Sequence, residues 1–234
     1  MIIASRAADL LPASGFWYKM ARADVFDLRI FDPIHASSPQ RRVMMRGRWA
    51  SIPIVRGPAG SRIVDARILP VDTPLALAEI VTERYEGAKH WSRHGPRVLD
   101  MINEVRTDHL WQLNLHLILG IREILDIRTP VSIGRVPMGS GGAGIASIMS
   151  TYNATTYLAG PAGRAYVGGD ESYTDSGVDI AWSTHRPVTG DSILSVLMDY
   201  DDPMSVVMAE QPAPPAAVQP APPTRRRARA GVPA

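Results

Sequence analysis

Residues 1–31 read MIIASRAADLLPASGFWYKMARADVFDLRIF, and this stretch decides the fold. Met1 to Ser5 is a short, mostly apolar run, which predicts a strand. Leu11 to Met20 holds a turn near Pro12 and Gly15, then a short helix with the aromatic pair Phe16–Trp17. Val25 to Phe31 has the alternating character of a second strand. Strand–helix–strand is the opening of a parallel sheet.

Outward from this unit the period changes. Arg41–Arg46 (RRVMMR), Arg48–Val55 (RWASIPIV) and Ser61–Ile68 (SRIVDARI) are rich in strand formers, and Gly57 to Gly60 supplies a turn, so a meander is expected. Asp72-Thr73-Pro74 opens a helix, with Thr73 as cap and Pro74 in the first turn. Further helices are expected over Pro96–Glu104 and Asp108–Asp126. In the second, Leu110, Leu113, Leu117, Ile121, Ile124 and Leu125 share one broad apolar face. Strands at Pro130–Ile133, Thr155–Leu158 and Asp179–Trp182 and helices at Gly144–Tyr152 and Ser192–Tyr200 complete the reading. The expected fold is α/β: a Rossmann-like mixed sheet with flanking helices and a β-meander insertion, over residues 1–208.

Residues 209–234 are expected to be a disordered tail. QPAPPAAVQPAPPTRRRARAGVPA has too few large apolar residues to offset the entropy of ordering. Its proline makes it an extended spacer, and it ends in the basic cluster Arg225, Arg226, Arg227 and Arg229. Those four arginines against Glu210 give the stretch from Glu210 onward +3, which leaves −1 for the rest of a chain that is +2 overall. The domain is therefore no uniformly basic nucleic-acid binder, and the tail reads as a solubilising linker or a salt-sensitive phosphate tether. With no cysteine, disulfide and thiolate chemistry are excluded. The histidines show no HExxH spacing and no nucleotide-binding loop is present, so no metal and no cofactor are expected. No apolar run spans a membrane and no signal peptide is visible, so a cytoplasmic location (the host cytoplasm if viral) is expected.

Several residues could carry chemistry. Met138-Gly-Ser-Gly-Gly-Ala-Gly-Ile145 runs into a predicted helix, where backbone N–H groups can hold an anion, although such loops also serve as plain turns. Tyr157-Leu-Ala-Gly-Pro-Ala-Gly-Arg-Ala-Tyr166 directly follows a predicted strand, the place where ligands bind in α/β sheets. Arg164 is there either an anion ligand or a solvated turn arginine. Asp32 and His35 are a candidate base with its orienting partner, or an Asp–Pro turn with a bystander. Arg42, Arg46 and Arg48, at even spacing on one face of an extended ribbon beside Trp49, could track a phosphate backbone. Asn114 and His116 interrupt the apolar helix, where a lone polar residue is usually a hydrogen-bonded core residue. Trp111 reads as core.

Leu11-Pro-Ala-Ser-Gly-Phe-Trp-Tyr-Lys-Met-Ala-Arg-Ala-Asp-Val-Phe26, Trp49-Ala-Ser-Ile-Pro-Ile54, Leu110-Trp-Gln-Leu-Asn114, Leu125-Asp-Ile-Arg-Thr129, the Tyr157–Tyr166 run and Ser192-Ile-Leu-Ser-Val-Leu197 resemble, in that order, segments of the WbqC-like family. Two segments depart from its usual pattern: Ala7-Ala-Asp-Leu-Leu-Pro12 and Pro39-Gln-Arg-Arg-Val-Met-Met-Arg46. The resemblance implies a transferase acting on amino-sugar or aminoacyl groups. It extends to bacteriophage amino acid:DNA transferases of thymine hypermodification. Those proteins replace the phosphate of a phosphorylated 5-hydroxymethyl-uracil in DNA with an amino acid. On that reading the partners are double-stranded DNA and a free amino acid. Lys19, Arg42, Arg46, Gly160, Gly163, Arg164 and Tyr166 would bind substrate, Asp32 or His35 would serve the amine, and Asn114 would meet the uracil edge. The rivals are a glycan-pathway transferase acting on a nucleotide sugar and a non-catalytic DNA-binding accessory.

Overall fold

A computed structural model describes residues 1–55, 61–134, 141–163 and 178–211. The opening unit is β1 (Ile2–Ala7), α1 (Ser14–Arg22) and β2 (Val25–Arg29). The α1 helix is fixed from both ends of its aromatic pair. Trp17 Nε1 donates to the Pro12 carbonyl at 2.9 Å, and Phe16 packs edge-on against Trp17 and Phe26.

The expected meander is a two-stranded hairpin, β3 (Arg42–Met45) and β4 (Arg48–Ser51). Arg46 and Gly47 form its turn with φ of +52° and +69°, the left-handed pair that a tight hairpin turn needs. Ser61–Ile68 adds no third strand. It makes isolated bridges and a short 3₁₀ turn at Ile63–Asp65. Three helices follow, α2 (Asp72–Tyr85), α3 (Trp91–Asn103) and α4 (Leu110–Ile124). The α3 helix begins well before Pro96, so the proline sits inside it. Next come β5 (Val131–Gly134), α5 (Gly141–Thr151), β6 (Thr156–Ala159) and β7 (Asp179–Trp182), then α6 (Ile193–Asp199) and α7 (Pro203–Val207). Ser192 caps α6, and Asp202, followed by Pro203, caps α7, a last helix that the sequence reading does not include.

The sheet is parallel throughout, with strand order β5-β2-β1-β6-β7. The chain builds outward from β1 to β2 and β5, then returns to β6 on the other side of β1. The connection direction therefore reverses between β1 and β6, where α/β sheets place their ligands. One face (Ala4, Phe26, Leu28, Leu158) joins the main core, which also takes in residues of α1 to α4, α6 and α7. The other face (Ile3, Tyr157, Ala159) packs on Ile148 and Met149 of α5.

Ordered contacts run past the expected boundary at 208. Glu210 accepts from Tyr18 at 2.6 Å and pairs with Arg22 at 2.8 Å. Residues 212–234, and with them the basic cluster, lie outside the described residues. Among the described residues no helix is long and apolar enough to cross a membrane.

Candidate active site at the split in the sheet

The β1 and β2 strands pair over five positions and β6 and β7 over four, but β1 and β6 pair only at Ile2 and Ile3. Beyond Ile3 the sheet therefore opens at its switch point. A lysine from α1 fills the opening. Lys19 Nζ donates to the Ser5 carbonyl at 3.1 Å and stands 5.7 Å from the centre of the Tyr157 ring. Only 5% of Lys19 is exposed.

Burial is the largest influence on this ammonium, and the Arg6 and Arg29 guanidinium groups act in the same direction. Together they bring its pKa down to about 7, against a weaker opposing pull from Asp9. Asp9 is itself buried and bonded to Arg6 at 2.9 Å and to the Gln40 amide. Burial holds its carboxyl above the usual range despite those two partners. Arg29 pairs with Asp32 at 2.9 Å. Each arginine beside the split thus already has a carboxylate partner, and Lys19 alone among these three cations has none.

Gly160 follows β6 on the far side of the split, and its carbonyl accepts from Gly163 N at 2.8 Å. Neither glycine has a positive φ, so neither is demanded by backbone conformation. A Cβ on Gly160 would meet open space, whereas one on Gly163 would touch Ala159 and Trp182 at 3.6 Å.

The other predicted residues fall in different places. Asp32 is joined to Arg29, while His35 is exposed and its backbone N–H bonds Ser38 Oγ. Asn114 is fully buried, and its amide donates to the carbonyls of Ala8 at 2.7 Å and Gln40 at 2.8 Å. It stitches the β1–α1 loop to the segment before the hairpin. Arg42 stacks on Trp49 with 4.0 Å between guanidinium carbon and ring centre. Arg46 makes a bidentate pair with Asp199 at 2.6 and 2.7 Å and lies over Tyr85, and Arg48 pairs with Glu83 at 2.9 Å. Because the chain turns at Arg46, the even spacing of Arg42, Arg46 and Arg48 does not put them on one strand face. Arg164, Tyr166 and the stretch Met138 to Ser140 lie outside the described residues. His90 and His94 stand four residues apart, yet among the described residues no group of three His, Asp or Glu could hold a metal.

The model of the WbqC-like protein family matches residues 8–189. The chain belongs to that family. Comparison with curated proteins and with solved structures gives no match. The matched span of this WbqC-like protein takes in Asp9, Lys19, Asp27, Asp32 and Gly160 to Gly163, and it leaves out Arg6.

Two polar groups of the WbqC-like domain escaped sequence reasoning. The first lies across the sheet, where Ser5, Asp27 and Ser132 are register partners on β1, β2 and β5. Tyr152 Oη lies 2.6 Å from Asp27 Oδ1 and 2.7 Å from Ser132 Oγ. Its one proton serves the carboxyl. Asp27 is fully buried, and burial raises its pKa against the Tyr152 bond and the Arg29 charge. An Asp in the middle of VFDLRIF was the available signal, since a carboxylate at an interior strand position must find a donor. The second is the buried pair Ser14–His185, 171 residues apart in sequence. His185 Nδ1 donates to the Ala209 carbonyl at 3.2 Å, so Nε2 accepts from the Ser14 hydroxyl at 2.8 Å. Both residues are buried, and the pair ties the C-terminal segment to α1. Nothing local in the sequence announces it.

Proposed function

We propose that this WbqC-like protein is an amino acid:DNA transferase. It replaces the phosphate of a phosphorylated 5-hydroxymethyl-uracil with an amino acid, glycine in the first place and serine in the second. The observation that carries this reading is Lys19, buried at the opened switch point against the Ser5 carbonyl and the Tyr157 ring, with Arg6 and Arg29 near enough to help lower its pKa. The chemistry needs those three groups together. The amine nitrogen attacks the exocyclic methylene carbon, the C–N bond forms as the C–O bond breaks, and phosphate leaves with the bonding pair. The new ammonium must then shed a proton. Neutral Lys19 accepts it, and a base of pKa near the working pH is best suited to do so. Arg6 and Arg29 stabilise the departing phosphate, with Asp32 orienting Arg29. The open space at Gly160 lets an anion approach backbone, and Arg164, next after Gly163 in sequence, is the proposed clamp for the amino-acid carboxylate.

Family membership supports a transferase, and the basic cluster at Arg225 to Arg229 supports a polyanionic partner. The test is incubation of the protein with duplex DNA carrying phosphorylated 5-hydroxymethyl-uracil and an amino-acid mixture, read by nucleoside mass spectrometry. One aminoacyl-methyl-uracil adduct is expected. A nucleotide sugar modified while the DNA stays untouched would overturn the reading in favour of the glycan-pathway transferase.

A further inference from the structure

Among the described residues, five of the eight large hydrophobic side chains that stand exposed belong to one surface. Trp49, Val55, Leu69, Val71 and Leu75 are each 45–66% exposed. The backbone makes them contiguous. From Trp49 the chain runs on to Val55 with Ala50 and Ile52 buried, while Trp49, Ser51, Pro53 and Val55 turn outward in alternation. Val55 N–H donates to the Arg67 carbonyl at 2.8 Å, which sets Leu69 nearby. Leu69 N–H in turn donates to Thr73 Oγ1 at 3.2 Å, at the start of α2. Ala50 to Pro53 meet Ala76, Leu77 and Ile80 of α2 along a seam of about 10 Å³. That volume holds one water at most, so the surface receives side chains and not a small molecule. Single exposed hydrophobic side chains are ordinary, whereas a contiguous set with a polar rim marks a surface that docks.

The rim carries both signs of charge. Arg42 lies over Trp49, and among the described residues no carboxylate pairs with it. Asp72 and Glu79 are exposed on α2, and among the described residues no cation pairs with either. The Arg48–Glu83 pair and the bonds from Arg84 to the Arg48 and Trp49 carbonyls hold the hairpin at the C-terminal end of α2. Arg42 and Asp72 therefore stand toward opposite ends of a 14-residue helix, about 20 Å long. We infer that this surface is the interface of a symmetric dimer of this chain. A two-fold axis crossing the middle of α2 lays the two α2 helices antiparallel. Each copy then covers the apolar surface of the other, and Arg42 of each meets Asp72 of the second copy. One patch meeting itself is the usual form of a homodimer contact. Other occupants match only half of the rim. Asp72 and Glu79 repel an anionic bilayer, and Arg42 repels the arginine-rich C-terminal segment. A second copy brings both signs, and the inference does not rest on the transferase reading.

Sedimentation equilibrium of the full chain over a wide concentration range tests this. A species of twice the 25.5 kDa chain mass is expected, and it should weaken as salt rises. Leu75→Ser removes an exposed apolar side chain without changing charge. A symmetric contact loses that side chain twice, so the dimer dissociation constant should rise at least tenfold. Arg42→Glu and Asp72→Arg should each weaken the dimer by a similar factor. Combined in one chain, the two reversals should restore it to within about threefold of wild type, because the pair is then re-formed with its signs exchanged. None of the three side chains is buried, so every variant should melt within a few degrees of wild type by circular dichroism. A chain that is monomeric at every concentration overturns the interface. So does a dimer that Leu75→Ser and the single charge reversals leave unchanged. A monomer that co-sediments with phosphatidylserine vesicles, and loses them in Leu75→Ser, overturns it as well and gives the surface to a bilayer.

Discussion

The hairpin and the split in the sheet each set a cation beside an aromatic ring, and they use it in opposite ways. At the hairpin, Arg46 lies over Tyr85 and both of its terminal nitrogens go to Asp199. Nearby, Arg48 has Glu83, and Arg84 donates to the carbonyls of Met45, Arg48 and Trp49. Arg46 and Arg48 are matched by carboxylates and Arg84 is spent on three exposed or half-buried carbonyls, and together they dock β3–β4 onto α2 and α6. At the split, the buried Lys19 lies near Tyr157 with only a backbone carbonyl for a partner, while the two cations close by, Arg6 and Arg29, have Asp9 and Asp32. A matched cation holds a structure together. A buried cation without a carboxylate is costly, and such groups cluster at functional sites.

The largest effect expected from this contrast is at Lys19. Lys19→Met keeps the length and apolar stem of the side chain and removes the proton acceptor, so turnover should fall by at least about 100-fold. Stability should move the other way. In the folded protein this lysine has a pKa of about 7, against 10.5 when solvated, so between those values the unfolded chain binds more protons. Through Lys19, wild-type stability is penalised most below pH 7 and relieved as pH rises toward 10.5. The Met variant lacks this penalty. Its melting temperature should exceed wild type most at pH 6, and the difference should shrink toward pH 10. Turnover by wild type should rise with pH through about 7, the limb on which Lys19 loses its proton. A Met variant with wild-type turnover would remove Lys19 from the chemistry.

Lys19 is readable as a candidate because it is a cation in the first helix after the first strand, close to the aromatic pair Phe16–Trp17. Its burial is not readable, since that depends on β1 and β6 separating, and β6 is more than 130 residues away. The same logic runs through the fold. The β1–α1–β2 unit and β7 follow from local period alone, and β7 keeps its expected bounds at Asp179–Trp182. The hairpin reads as extended through Arg46 because a non-glycine residue rarely opens a left-handed turn. Ser61–Ile68 has strand composition, but its backbone pairs only singly, with Pro33, Val55 and His109, on either side of a 3₁₀ turn. Asn114 shows the limit at the site. Its type suits a base edge, but both of its amide protons are spent on backbone carbonyls that only the folded chain brings near.

The converse test is at Arg46, where stability should fall and turnover should hold. Arg46 and Asp199 have side chains 34% and 32% exposed, so solvent screening limits even a bidentate pair to about 1 kcal/mol. For a domain of this size that is roughly 2–4 °C in melting temperature. Arg46→Ala should show that loss and no more, because arginine already bears the cost of the positive φ. Arg46→Asn should recover part of it, because Asn-Gly suits a turn with both φ values positive. A tenfold loss of turnover in Arg46→Asn, at unchanged stability, would return the hairpin to the list of anion sites and erase the contrast.

The smallest effect expected is at the glycines of the loop after β6, and it sharpens where the anion sits. Neither Gly160 nor Gly163 has a positive φ, so alanine at either should cost no backbone strain. Restricting the unfolded chain should even add about 0.4–1 kcal/mol. The two positions differ only in what a methyl group would meet. At Gly163 it would contact Ala159 and Trp182 at 3.6 Å, an ordinary van der Waals distance on the protein side of the loop. At Gly160 it would project into open space. If phosphate approaches the backbone there, Gly160→Ala should lower turnover about threefold by crowding the anion, while Gly163→Ala leaves turnover at the wild-type level. Both variants should melt at or slightly above wild type, read by circular dichroism. Equal turnover in the two would mean that the anion does not approach along Gly160, and that the Arg6 and Arg29 side of the split holds it alone.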